Sequence, residues 1–78
     1  MDDRIRDVIA AHARLAVDPS TLSEHEDLYS AGMTSHASVN LMLALENEFD
    51  VEFPDRMLKR SVFESVASIA AALDELDV

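Results

Sequence analysis

Apolar residues recur at intervals of three and four in three stretches of the chain, a spacing that predicts amphipathic helices. The first helix is predicted over residues 2–16 and the second over residues 35–49. The third is predicted from Ser61, whose spacing to Glu64 is that of a capping box. A short helical turn is expected over residues 55–59. The pattern therefore predicts an all-α bundle of three principal helices and one short helix.

Residues 19–34 show no sustained period and form a long predicted connection, in which Leu22 and Leu28 are the expected anchors into the core. Residues 23–26 have the spacing of a second capping box, which would start a short turn of helix. Gly32 is the only glycine of the chain. It precedes the second helix, where a sharp turn with positive φ is expected.

The second predicted helix is apolar over a wider arc than one core-facing side requires. Its apolar positions cover about 200° at about 100° per residue. Val39 and Leu43 lie in the excess part of this arc. Either this helix is the most buried of the bundle, or Val39 and Leu43 are presented to a partner. The pattern favours neither alternative.

Length and composition limit the classes of function. The 78 residues predict a single domain over residues 1–78, too small for a deep catalytic pocket beside its core. Sixteen acidic against six basic residues give a net charge of −10, which disfavours nucleic acid and anionic lipid and favours basic protein partners. The small size leads us to expect a non-enzyme. The chain has no apparent signal peptide and no membrane span, so we expect it in the cytoplasm. It has no cysteine, so any thiol chemistry would need an imported thiol.

The histidines offer no metal site, because His12, His25 and His36 lack the spacing of a ligand set. His12 falls within the apolar stripe of the first helix and is interpreted as a partly buried core residue. The acidic run over residues 46–55 lacks the alternating ligands and central glycine of a calcium loop. We therefore expect no bound metal.

Ser35 stands at the predicted start of a helix, after a glycine-containing turn. Serine is a favoured N-cap, so a purely structural role is one interpretation. A helix N-terminus with free N–H groups is also a good seat for a phosphodiester. Composition and spacing leave both alternatives open.

Several motifs, spread over nearly the whole chain, resemble the acyl carrier protein family. They are Asp27-Leu28, Gly32-Met33-Thr34-Ser35, Val39, the Leu45–Asp50 segment and Pro54-Asp55. The resemblance implies that Ser35 carries 4′-phosphopantetheine, which a phosphopantetheinyl transferase attaches from coenzyme A. Thr34 and His36 replace the Asp and Leu usual in the family signature.

The region from residue 27 to 39, with the basic residues after residue 55, is more similar to stand-alone aminoacyl carrier proteins. This similarity implies an amino acid cargo held as a thioester and a loading enzyme of the amino acid:carrier protein ligase type, with a downstream acceptor enzyme. The implied docking residues are Val39, Leu43, Glu46 and His36. Ala37, Asn40 and Asn47 stand where fatty-acid carriers are often acidic, which indicates different partners.

The rival interpretation is an unmodified helical adaptor, in which Ser35 is only a cap and the acidic surface binds a basic protein. A further hypothesis concerns His36. A neighbouring phosphodiester would favour its imidazolium form and the helix dipole would oppose it, so the net direction stays open.

Overall fold

The computed structural model describes residues 2–13 and 15–76. Four helices follow one another within these described ranges: α1 (Asp2–His12), α2 (Ser35–Phe49), α3 (Arg60–Phe63) and α4 (Val66–Glu75). Single turns of 3₁₀ helix lie at Pro19–Thr21 and Asp55–Met57, and no strand occurs in the described part. The predicted bundle of three principal helices and one short helix is confirmed.

The core is one continuous cluster to which all three principal helices contribute. α1 packs against both α2 and α4. The largest fully buried side chains come from these helices and from the long connection, and they are Ile5, Ile9, Leu28, Leu41, Leu45, Val66, Ile69 and Leu73. Burying each aliphatic side chain of this size contributes about 1.5–3 kcal/mol before the cost of ordering it. The described helices include none long and apolar enough to cross a bilayer.

The long connection is held to the bundle at several points. Leu28 is fully buried and Leu22 packs partly against the core, so both predicted anchors are confirmed. The Leu28 backbone N–H donates to the Glu64 carbonyl oxygen at 2.7 Å. The Arg6 guanidinium donates to the carbonyl oxygens of Pro19 and Leu22, both at 2.7 Å. The chain that leads into α2 is therefore tied both to the C-terminal end of α3 and to α1.

The start of this connection differs from the sequence prediction. The helical turn lies at Pro19–Thr21, where Asp18 accepts hydrogen bonds from the backbone and hydroxyl of Ser20, both at 2.9 Å. These bonds lower the pKa of the Asp18 carboxyl. Residues 23–26 form only a hydrogen-bonded turn. Proline at the first helical position presets the φ angle, which explains why the turn forms there.

α1 ends at His12 instead of extending to residue 16. The Ala16 N–H donates to the Ala31 carbonyl oxygen at 3.0 Å. In a longer helix this N–H would donate within the helix, so the tertiary hydrogen bond replaces a helical one. His12 is exposed and lines a shallow groove with Arg4 and Glu48. Its interpretation as a core residue is wrong, because this side of the helix end faces polar groups.

The predicted last helix is divided into α3 and α4 at Ser65. Ser65 Oγ accepts from the Ser68 N–H at 3.0 Å, and Ser68 Oγ accepts from the Ser65 N–H at 3.1 Å. This capping box replaces the one predicted at Ser61 and Glu64, which is not formed. Serine hydroxyls compete with the helical backbone for such hydrogen bonds. Ser65 is buried, so its polar groups must find partners within the protein, and the capping box with Ser68 supplies them.

Gly32 forms the sharp turn before α2, as predicted, with φ of +117°. A Cβ at this position would lie 3.1 Å from the Ala16 backbone nitrogen. We expect Gly32→Ala to lower the free energy of unfolding by about 1–3 kcal/mol, because both the backbone and the contact would be strained. Urea denaturation measures this, and a loss below about 0.5 kcal/mol would mean that the turn relaxes freely.

Candidate functional site

Thr34, and not Ser35, caps α2. Thr34 has extended backbone angles, and its Oγ1 accepts from the Ala37 N–H at 3.0 Å. Ser35 is the first residue inside the helix and is exposed. Its hydroxyl makes no hydrogen bond with any residue that the structure describes. The interpretation of Ser35 as a structural cap is therefore wrong, because Thr34 supplies the cap and the exposed Ser35 hydroxyl takes no part in it.

The assignment of the cap gives a stability prediction. We expect Thr34→Ala to lower the free energy of unfolding by about 1 kcal/mol, since the Ala37 N–H loses its acceptor. We expect Ser35→Ala to change it by less than about 0.5 kcal/mol, because the Ser35 hydroxyl makes no hydrogen bond to the described part of the chain. Urea denaturation of the two variants checks this order. The reverse order would restore Ser35 as the cap.

A groove of about 420 Å³ opens beside Ser35. It lies between the first half of α2 and the segment that leads from the second 3₁₀ turn into α3. Apolar and aromatic side chains form most of its walls, and its lining residues are Tyr29, Ser35, Ser38, Val39, Met42, Leu58, Lys59, Arg60 and Phe63. A flexible, largely uncharged chain attached to Ser35 could lie along these walls.

The far wall is braced by stacked side chains. The Arg60 guanidinium lies 4.0 Å above the centre of the Tyr29 ring, within cation–π range. Its Nη2 lies 4.0 Å from Asp27 Oδ2. Asp27 in turn accepts from the Tyr29 N–H at 2.9 Å, which forms a local turn. These contacts connect the long connection to α3 across one end of the groove.

An exposed apolar patch adjoins the groove. Val39 is 52% exposed and Leu43 is 53% exposed, so the excess apolar arc of α2 faces solvent and not the core. Leu58, across the groove from Val39, is 46% exposed. Leu58 was not predicted from the sequence, because no periodicity marks the segment before α3. We call Val39, Leu43 and Leu58 the apolar patch.

The two carboxylates of the second half of α2 are used inside the protein. Glu46 is partly buried, and its Oε2 accepts from the Phe53 N–H at 2.8 Å. Glu48 Oε2 accepts from Arg4 Nε and Nη2 at 3.1 and 3.0 Å, and the Arg4 guanidinium lies 4.4 Å over the Phe49 ring. Both acidic groups therefore stabilise the fold and are only partly available to a partner.

The structure brings most of the predicted site residues to one end of α2. Ser35, His36 and Val39 are exposed within two turns, and Gly32 shapes the approach to them. Glu46 lies near the other end of the helix. The sequence pattern did not predict the capping role of Thr34 or the groove wall opposite α2, which is formed by Leu58, Lys59, Arg60 and Phe63.

The arrangement defines a class of protein. An exposed serine at the start of a helix, beside an apolar groove, suits a small carrier, since other proteins would both modify it and act on its cargo. The fold and the site are those of a helical carrier protein.

Comparison with known proteins identifies the family. Residues 3–73 match the family described as phosphopantetheine attachment site. The chain is 44% identical over 69 residues to an aminoacyl carrier protein from Agrobacterium fabrum, covering 88% of this chain and 83% of that protein. It is 32% identical over 75 residues to an acyl carrier protein from Campylobacter curvus. The chain therefore belongs to the phosphopantetheine attachment family, and its covalent cofactor is 4′-phosphopantetheine.

Solved structures agree with this assignment. One is a crystal structure of engineered Bradyrhizobium japonicum glycine:[carrier protein] ligase complexed with carrier protein from Agrobacterium tumefaciens and AMP. It matches with a TM-score of 0.92 and 40% identity, and the match covers 95% of this chain and 99% of that chain. Another is a crystal structure of Bradyrhizobium japonicum glycine:[carrier protein] ligase complexed with glycylated carrier protein. It matches with a TM-score of 0.78 and 28% identity, and the match covers 91% of this chain and 95% of that chain.

Proposed function

We propose that Ser35 is the residue that carries phosphopantetheine and that the cargo of the arm is an amino acid. The observation that carries the first part is the free, exposed hydroxyl of Ser35 at the start of α2, with the adjacent cap supplied by Thr34. A phosphopantetheinyl transferase would attach the arm there from coenzyme A. When bound, the arm supplies the thiol that this chain lacks.

The surroundings of Ser35 fit such a group. The Ser35 and His36 N–H groups take no partner within the described ranges, so the helix end can favour a phosphodiester. The groove beside Ser35 offers apolar walls to the uncharged part of the arm. The chain itself contributes an attachment atom, a rigid turn behind it and a surface for partners, and no catalytic group.

An amino acid cargo is supported by the relatives. The aminoacyl carrier protein from Agrobacterium fabrum shares 44% of aligned residues with the chain, against 32% for the acyl carrier protein from Campylobacter curvus. The internal use of Glu46 and Glu48 also weakens the acidic surface that a fatty-acid carrier would present. We infer that an amino acid:carrier protein ligase loads the arm and that a separate acceptor enzyme receives the cargo.

Partner proteins would dock on the apolar patch and the neighbouring His36. An exposed group of three aliphatic side chains beside the attachment point is a good centre for an interface, because burying it gains free energy and leaves no polar group unpaired. Glu46 would contribute at the edge with the oxygen that Phe53 leaves free. We place this work in the cytoplasm, where coenzyme A and ATP are available to the modifying and loading enzymes.

The cargo is tested by loading the armed protein. We expect that protein bearing phosphopantetheine, incubated with ATP, amino acids and a glycine:[carrier protein] ligase, gains the mass of one amino acid residue. Neutral hydroxylamine should remove that mass, as expected of a thioester. Loading by fatty acid and an acyl-activating enzyme, with no loading by any amino acid, would contradict the amino acid assignment and leave the carrier role intact.

A further inference from the structure

Positive charge is concentrated in one short segment of an otherwise strongly acidic chain, and two residues of that segment, Lys59 and Arg60, line the groove beside Ser35. Three of the six basic residues, Arg56, Lys59 and Arg60, lie within five positions. Arg56 pairs with Glu75 at 2.6 Å, and Arg60 is held by the Tyr29 ring and Asp27. Lys59 makes no ion pair with any residue in the described ranges. Among the three, Lys59 is therefore the one whose ammonium group has no ion pair within those ranges.

Lys59 and Ser35 line the same groove from opposite walls. The described lining contains no carboxylate, and residues 35–45 of α2 contain none either. The net charge of −10 thus lies elsewhere on the surface. An anion attached at Ser35 would meet an uncharged stretch of α2 on one side and Lys59 on the other wall of the groove.

We propose that Lys59 pairs with the phosphodiester that Ser35 carries and so directs the arm across the groove. This inference rests on the proposed attachment at Ser35. A lysine suits the role, because its ammonium group is a compact point charge on a flexible stem and a common partner of phosphate. The pair is exposed to water, so it positions the arm and adds little to stability.

The chain offers a direct test because Lys59 is its only lysine. The side-chain ¹⁵N signal of a lysine ammonium is therefore unambiguous. We expect this signal to move when the arm is attached, and to move less at high ionic strength. We also expect Lys59→Gln to shift the ³¹P signal of the armed protein. The matched control Arg4→Gln removes the same charge away from the groove and should leave the ³¹P signal unchanged.

A second measurement is independent of any transferase. In the variant Ser35→phosphoserine, Lys59 should hold the second pKa of the phosphate below that in Lys59→Gln, because a nearby positive charge favours the dianion. A ³¹P titration reads this difference. Equal values in the two proteins, or a Lys59 signal unmoved by the arm, would overturn the pairing. Failure of a transferase to modify Ser35 would instead count against the proposed attachment.

Discussion

Ser35→Ala is expected to abolish arm attachment and all cargo loading while the protein remains folded. The variant should show no mass gain after incubation with coenzyme A, magnesium and a phosphopantetheinyl transferase. The reason is chemical, because the proposed linkage of the arm is through the Ser35 hydroxyl oxygen and alanine has none. Circular dichroism and urea denaturation should match the wild type, since that hydroxyl makes no described hydrogen bond.

Ser38→Ala is the matched control for this experiment. Ser38 lies one turn further along α2, also lines the groove, and donates its hydroxyl to the Ser35 carbonyl oxygen at 2.7 Å. We expect Ser38→Ala to accept the arm as the wild type does. Attachment that survives Ser35→Ala and fails in Ser38→Ala would move the site by one turn and contradict the assignment.

The second large effect is expected at the apolar patch. Val39→Asp and Leu43→Asp should each lower kcat/KM for loading by about thirtyfold, because a charge placed in a buried interface centre costs about 2 kcal/mol. Both side chains are about half exposed, so the fold should tolerate the change. The measurement is the rate of loading as a function of carrier concentration.

Val17→Asp provides the comparison for the apolar patch. Val17 is 45% exposed, similar to Val39, and does not line the groove beside Ser35. The same substitution there adds the same charge and should leave loading within about twofold of the wild type, since surface changes away from an interface have small effects. Equal losses at Val17 and Val39 would indicate a general effect of charge. Unchanged loading in Val39→Asp and Leu43→Asp would remove the patch from the docking surface.

Features encoded by local pattern could be predicted from the sequence. The bounds of α2 at Ser35 and Phe49 follow from apolar periodicity together with the preceding turn, and both are observed. The positive φ of Gly32 follows from the position of a lone glycine before a helix. The exposure of Val39 and Leu43 answers a question that periodicity had to leave open, because an apolar arc does not state what covers it.

The rest depended on competition between similar local signals or on contacts between distant residues. Thr34 and Ser35 have equivalent hydroxyl chemistry, and only the backbone angles select Thr34 as the cap. Ser61 and Ser65 both had partners at capping distance, and the buried one prevailed.

The groove was not predictable, because Lys59 meets α2 only through the tertiary fold. Its far wall comes from a segment with no helical period, and no local pattern states which helix such a segment will approach. The sequence signal that existed was the concentration of basic residues in an acidic chain.

The most direct test of the carrier assignment is to locate the arm on the wild-type protein. After incubation with coenzyme A, magnesium and a broad-specificity phosphopantetheinyl transferase, intact mass and fragment mass spectra would be recorded. We predict a gain of one phosphopantetheine, confined to the fragment that contains Ser35. No gain with several transferases, or a gain on another residue, would contradict the assignment of Ser35 as the attachment site.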